Sequence, residues 1–145
     1  MSANLTFYIT EGLLTGLAAG HMIHIRAVSG GGGGSTKHGG NADTDNPAST
    51  SVKEAGTRRG GPLPEGRYKI HTPSRRAHLG LCAELDPYDK EQASHMFGRS
   101  GFFIHGRGPL GSDGCIVPME SFATVMEYLV KDRGGMLVVY AGMGK

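Results

Sequence analysis

Residues 5–10 alternate without a break: Leu5, Phe7 and Ile9 fall on one side, Thr6, Tyr8 and Thr10 on the other. A period of two cannot form one apolar stripe on a helix, so this stretch is a half-buried strand. Glu11-Gly12 is a turn signal, Leu13-Leu14 opens a second short strand, and residues 22–28 alternate again through Ile23, Ile25 and Ala27. Three short strands joined this tightly form an antiparallel meander. Residues 67–71, 77–85, 101–105 and 136–140 also read as strands. One segment departs from the period of two. Met119, Phe122, Ala123, Met126, Leu129 and Val130 recur at helical spacing. Pro118 is expected in the first turn of that helix, where its missing N–H has no partner to lose, and Gly134-Gly135 is expected to end it. The fold class expected is mainly β, with one principal α-helix near the C-terminus. The 25 glycines agree with this, because Gly weakens helices and relieves tight turns.

Residues 29–62 change character. Ser29 is followed by Gly30-Gly31-Gly32-Gly33-Gly34, then by Ser, Thr, Asn, Asp and Pro with almost no large apolar side chain. This is a long loop, either flexible or a lid-like excursion over the fold. It is not a phosphate-binding loop, since the GxxxxGK[ST] order is missing and no helix pattern follows. The segment Gly61-Pro62-Leu63-Pro64-Glu65-Gly66 is rigid turn chemistry. At 145 residues the whole chain, 1–145, is expected to be a single domain around one core.

Composition excludes several classes of partner. Aromatic residues make up 7% and Trp is absent, so a surface that stacks bases is poorly supplied. The net charge is +2, and the short pairs Arg58-Arg59 and Arg75-Arg76 read as solvated loop charge rather than a basic stripe. No nucleic-acid partner is expected. No apolar run approaches the roughly 20 residues that cross a bilayer, so no membrane association is expected either. Residues 13–20 are apolar but short, and no Lys or Arg precedes Arg26, so the basic start of a secretory signal is missing. The expectation is a chain made in the cytoplasm that stays there or leaves without a cleaved signal.

Cys82 and Cys115 are too few for a disulfide framework. They form one bridge, or one is reactive and the other buried. The surroundings of Cys115 favour the second choice. In Gly101-Phe102-Phe103-Ile104-His105 a strand delivers a histidine to its end. A loop with Gly106, Gly108 and Gly111 follows, and Ser112-Asp113-Gly114 leads back to Cys115. Such a loop can fold the thiol against the imidazole. A thiol of pKa near ~8.5 is mostly protonated at neutral pH, and a neighbouring imidazolium lowers that value. Its thiolate attacks a carbonyl, and backbone N–H groups of Gly114 and Cys115 suit the oxyanion that develops. Ser112 is placed either to orient His105 or to donate near the oxyanion. The third catalytic member is Ser112, Asp113 or a backbone carbonyl. A lone Cys among apolar residues is commonly a small buried hydrophobe. His, Ser and Cys joined by a glycine-rich loop shift the reading towards function.

The run Ser112-Asp113-Gly114-Cys115-Ile116 resembles the catalytic signature of the L,D-transpeptidase domain, a Ser/Thr-x-Gly-Cys element preceded by His-Gly. The wider frame is similar too: paired N-terminal strands leading to Ser29-Gly30, then Gly61-Pro62-Leu63-Pro64-Glu65-Gly66-Arg67-Tyr68, the His-Gly and Gly-Cys-Ile pieces, a helix and a strand. The chain looks in particular like the compact L,D-transpeptidase-like effectors delivered by type VI secretion, which carry GPxPxGxY upstream. The resemblance implies a β fold of sandwich or barrel type, Cys115 as nucleophile, His105 as base, a thioester intermediate and no cofactor or metal. It implies a stem peptide of peptidoglycan as substrate, cut between diaminopimelate and D-Ala by hydrolysis or exchange. It further implies action in the periplasm of a target bacterium, secretion partners and a cognate immunity protein. Three departures stand out. Asp113 occupies the place of a second His, Val117-Pro118 stand where an Arg usually follows, and the His-to-Cys loop is shorter. Arg107 and Arg99 are the nearest replacements for recognising a substrate carboxylate, with Asp113 beside the same site.

Three rivals were weighed. A cysteine peptidoglycan amidase or endopeptidase that places Cys before His would use Cys82 with His95 or His105, but Cys82 lies in an ordinary apolar strand pattern. A zinc enzyme would start from His21 and His24, yet residues three apart in a strand point to opposite faces, and neither HExxH nor CxxC is present. A catalytically silent peptidoglycan-binding module on the same fold would not require a reactive thiol.

Overall fold

The computed structural model describes residues 2–29, 62–77, 79–96, 101–106 and 115–144. Its elements in chain order are β1 (Ala3–Tyr8), β2 (Leu13–Ala18), β3 (His21–Ser29), β4 (Gly66–Ile70), β5 (Ser74–Arg76), β6 (Gly80–Pro87), the short α1 (Lys90–Ala93), β7 (Phe102–His105), β8 (Ile116–Pro118), α2 (Phe122–Asp132) and β9 (Gly135–Tyr140).

The N-terminal alternation has the outcome its period requires. Leu5 and Phe7 of β1, and Ile9 just beyond it, are at most 1% exposed. They share one core with Leu14 and Ala18 of β2 and Ile23, Ile25 and Ala27 of β3. Both pairings in this meander are antiparallel. The second strand runs further than Leu13-Leu14 suggests, because its ladder continues to Leu17 opposite Asn4 and Ala18 opposite His21.

The described strands form one sheet in the order β4-β9-β1-β2-β3-β8-β7-β6-β5, and an added pairing between β4 and β6 closes it into a barrel. β6 is the strand that makes closure possible. Its residues 85–87 pair with β4, its start pairs with β5, and its other edge pairs with β7. β5 and β6 replace the one strand expected over 77–85, because the chain turns back after Arg76, whose carbonyl accepts from Leu79 N–H at 3.3 Å. β9 enters between β4, antiparallel to it, and β1, parallel to it.

α2 packs against β1, β2 and β6 and buries Val125, Met126 and Leu129. Pro118 does not start this helix. It belongs to β8, opposite Ala27, and the Met119 N–H extends the same ladder to the Arg26 carbonyl at 2.9 Å. Strand pairing therefore holds the chain extended past the proline, whose fixed φ also suits a strand end. Met119 consequently lies outside the helix, half exposed. The helix ends with Arg133 in the left-handed region, Arg133 N–H bonded to Val130 O and Gly134 N–H to Leu129 O. This pair of reversed bonds closes the last turn. Gly135 already starts β9. The Asp132 carboxylate accepts from Ala19 N–H at 2.7 Å and so ties α2 to the β2–β3 turn.

The turn chemistry before β4 is structural. Leu63 is fully buried, and the Tyr68 hydroxyl donates to the Pro64 carbonyl at 2.5 Å. Gly66 has φ +130, and a Cβ there would fall 1.6 Å from the Gln92 side-chain oxygen. That Gln92 accepts from Arg67 N–H and donates to the Glu65 carbonyl, which locks α1 onto the turn. Only glycine fits this approach. Apart from Ser29 and Pro62, the polar stretch 29–62 lies outside the described residues. Its two flanks are joined by the Leu63 N–H bond to Ser29 Oγ at 2.9 Å.

Candidate active site

β7 lies between β6 on one edge and β8 on the other. It runs parallel to β8 with Ile104 beside Ile116. One residue earlier in each strand, Cys115 comes alongside Phe103, two residues before His105. With strands about 4.8 Å apart and about 6.6 Å for two residues along a strand, Cys115 and His105 have Cα atoms about 8 Å apart, a diagonal that these side chains can span. Cys115 is half-buried, and His105 is 6% exposed with its Nδ1 closed off from solvent.

The Cys115 Sγ accepts from the backbone N–H of Phe103 at 3.3 Å. It also lies 4.0 Å from the Gly101 carbonyl oxygen, the outer limit for a thiol donor. The sulfur thus lies between one backbone donor and one backbone acceptor of the segment that leads through β7 to His105. Gly101 has φ +78, a conformation that strains any other residue, at the bend leading into β7.

The other edge of β7 carries the second cysteine. Cys82 stands directly opposite His105 in the antiparallel pairing with β6. Unlike Cys115 it is 1% exposed. Burial pushes its thiol above the ordinary value of 9.0; Arg76 opposes that shift and Glu84 adds to it. A thiol held protonated this way is a poor nucleophile, which weakens the amidase reading. Neither cysteine is in a disulfide. With β7 between them they are two strand spacings apart across the sheet, about 9.6 Å, and offset by two residues along it, about 6.6 Å. Their Cα atoms are therefore about 12 Å apart, beyond the roughly 7 Å a disulfide spans.

Two ion pairs, Arg76–Glu84 and His71–Asp86, involve strand β6. The register sets Arg76 opposite Gly80 and Glu84 opposite Phe103, so Arg76, Cys82, Glu84, Phe103 and His105 share one face of the sheet. Arg76 Nη2 is 3.2 Å from Glu84 Oε1, and its guanidinium stacks 4.9 Å from the Phe103 ring centre. His71 Nε2 meets Asp86 Oδ2 at 2.6 Å. The potential ligand atoms of His71, Glu84 and Asp86 lie within 4.8 Å of one another, the one such trio among the described residues. Glu84 in it is already engaged by Arg76. His21 and His24 do not converge: His21 stacks on Tyr128 of α2 at 4.5 Å, and His24 faces outward. An apolar groove of about 480 Å3 between the β5–β6 turn and α2 is separate from the thiol, reaching this region only through Gly106.

Of the residues singled out from sequence, Cys115 and His105 lie on adjacent strands, offset by two residues. Ser112, Asp113, Gly114, Arg99 and Arg107 lie outside the described residues. Sequence reading missed four contributors: the Phe103 N–H, the Gly101 carbonyl, Arg76 and Glu84. Arg76 is the clearest correction: it is solvated, as expected, but it is a strand residue rather than loop charge, stacked on Phe103 and ion-paired to Glu84. Ser74-Arg75-Arg76 is polar throughout and exposed, so no alternation in the sequence could have marked it as a strand.

Residues 35–139, most of the chain, match the family model described as the Tlde1 domain. No curated protein sequence matches the chain. Solved structures show the same fold at low identity. An L,D-transpeptidase from Xylanimonas cellulosilytica is 13% identical with a TM-score of 0.53, the match covering 96% of this chain and 60% of that one. The helical cell shape determining protein Pgp2 from Campylobacter jejuni is 12% identical with a TM-score of 0.59, covering 97% and 48%. An L,D-transpeptidase from Mycobacterium tuberculosis H37Rv is 14% identical with a TM-score of 0.52, covering 96% and 57%. The chain thus spans about half to three-fifths of the length of these structures. The barrel-like, mainly β fold with one main helix that was expected from sequence is the L,D-transpeptidase fold.

Proposed function

The chain belongs to the Tlde1 domain family, and on that premise we propose that it is a cysteine-dependent, peptidoglycan-modifying enzyme acting on stem tetrapeptides between diaminopimelate and D-Ala. The observation that carries this reading is the half-buried Cys115 sulfur, hydrogen-bonded at 3.3 Å to the strand that ends two residues later in His105.

Cys115 Sγ, which accepts from the Phe103 N–H, attacks the diaminopimelate carbonyl. The tetrahedral intermediate places a negative oxygen for which Gly114 and Cys115 backbone N–H groups are the proposed donors. His105 takes the thiol proton and gives it to the departing amine of D-Ala. The C–N bond breaks, a thioester remains, and D-Ala leaves. Water then restores the thiol and releases the shortened peptide, or a free D-amino acid takes the place of water and completes an exchange. Ser112 remains the proposed third member. A chain of this kind fits an antibacterial effector of type VI secretion, active in the periplasm of a target cell and neutralised at home by an immunity protein.

The test is incubation of wild type and Cys115→Ala with tetrapeptide muropeptides, with and without a free D-amino acid, read by chromatography and mass spectrometry. Loss or replacement of the terminal D-Ala by wild type alone supports the proposal. Cleavage elsewhere in the stem moves the assignment to an amidase or endopeptidase, and unchanged tetrapeptide in both removes it.

A further inference from the structure

The charged rim beside the thiol has no task in the chemistry above. Arg76 and Glu84 lie on the same sheet face as Phe103 and His105, with the His71–Asp86 pair next to them. Phe103 links this rim to the nucleophile: its ring supports the Arg76 guanidinium, and its N–H holds the Cys115 sulfur. The Arg76 and Glu84 side chains are 48% and 39% exposed, so a ligand can reach both. A pair this open contributes little to stability. Arg76 gives one nitrogen to Glu84 at 3.2 Å and a hydrogen bond to the Cys82 thiol, and of the five N–H donors of its planar fork this leaves others for a second carboxylate.

We propose that Arg76 and Glu84, backed by Asp86 and His71, form a subsite for an α-amino-acid zwitterion, a carbon bearing both an ammonium and a carboxylate. Arg76 takes the carboxylate bidentately while Phe103 holds the guanidinium flat. Glu84 and Asp86 take the ammonium. The inference rests on the proposed function, because two zwitterions occur in that reaction: the free end of the diaminopimelate side chain, and a free D-amino acid arriving to exchange. Arg76 is here a specificity residue and forms no bond to the reacting carbonyl.

The experiment starts from wild-type turnover of tetrapeptide, so a failure of the parent reading is seen there and separately. Binding is then measured by calorimetry in the Cys115→Ala protein, using tetrapeptides with diaminopimelate or with lysine, which keeps the ammonium and lacks the carboxylate. With Arg76 present, the diaminopimelate peptide is expected to bind about 10- to 100-fold more tightly, the range of one charge-assisted pairing. Adding Arg76→Gln, which keeps the side-chain stem over Phe103, is expected to erase that preference while leaving lysine-peptide binding in place. Glu84→Gln is expected to weaken both peptides alike. If Arg76→Gln leaves peptide preference intact but raises the concentration of free D-amino acid needed for exchange about tenfold or more, the zwitterion held is the incoming one. Arg76→Gln that keeps both, or weakens the two peptides equally, overturns the proposal.

Discussion

β7 has two edges, and each presents a cysteine. On the β6 edge Cys82 sits opposite His105, buried to 1% exposure, with a thiol pushed up by desolvation. On the β8 edge Cys115 precedes a three-residue strand, half-buried, with a backbone N–H directed at its sulfur. By register Cys82 is the nearer to the imidazole, directly opposite His105, whereas Cys115 lies on the diagonal. They differ in what surrounds the sulfur. The strand interior closes Cys82 off from solvent, while the start of a short strand leaves the Cys115 sulfur accessible and lets it accept from its neighbour. Reactivity follows access and stabilisation of the thiolate, not closeness to an imidazole alone.

The largest effect should come from Cys115→Ala, which is expected to lower turnover of tetrapeptides by about 1000-fold or more, measured by product chromatography. Comparable activity in that variant would erase the distinction between the edges. His105→Gln is next, with an expected fall of about 100- to 10,000-fold in the same assay, the range of one general base. A third measurement separates the cysteines without any substrate. In native protein a thiol-alkylating reagent should label Cys115, and Cys82 only after denaturant is added, as mass spectrometry of the peptides would show. Cys82→Ala should keep turnover within about threefold while costing roughly 1–2 kcal/mol in urea unfolding, as expected for a small buried side chain.

The smallest effect is a pH dependence. Unfolded Cys82 ionises near 9.0, whereas the folded thiol ionises higher. The unfolded chain therefore loses its proton first as pH rises. The contribution to stability is whole below 9.0 and is lost as pH climbs through the folded value. Urea midpoints at neutral pH and above 9.0 should show a steeper alkaline fall in wild type than in Cys82→Ala. Parallel curves would mean that the buried edge is less desolvated than its exposure implies.

Much of the fold was legible where one force dominates. The alternation of Leu5, Phe7 and Ile9 had one solution, as did the apolar spacing of Phe122, Met126 and Leu129. Pro118 was misplaced because its fixed φ fits a helix start and a strand end equally, and only the ladder to Ala27 and Arg26 decides between them. The β5–β6 break was hidden for a similar reason, since pairing partners far along the chain determine where a strand turns. At the site, Cys115 and His105 were readable because side-chain chemistry names them. The Phe103 N–H was not, because a backbone donor belongs to every residue and acquires a role only through register. Arg76 next to Arg75 looked like any surface pair until the sheet brought Glu84 and Phe103 beside it.

β9 follows every other strand in the chain, yet its place is between β4 and β1. While the ribosome is still adding residues 135–140, β1 has a bare outer edge and β4 has only β6 to pair with. The barrel can therefore close only after residues 135–140 have been synthesised, and the pairing of β9 with β1 joins segments more than a hundred positions apart. Such late, long-range zippering is slow compared with a local hairpin. A newborn chain thus passes through an open-edged stage in which strand-to-strand aggregation competes with closure.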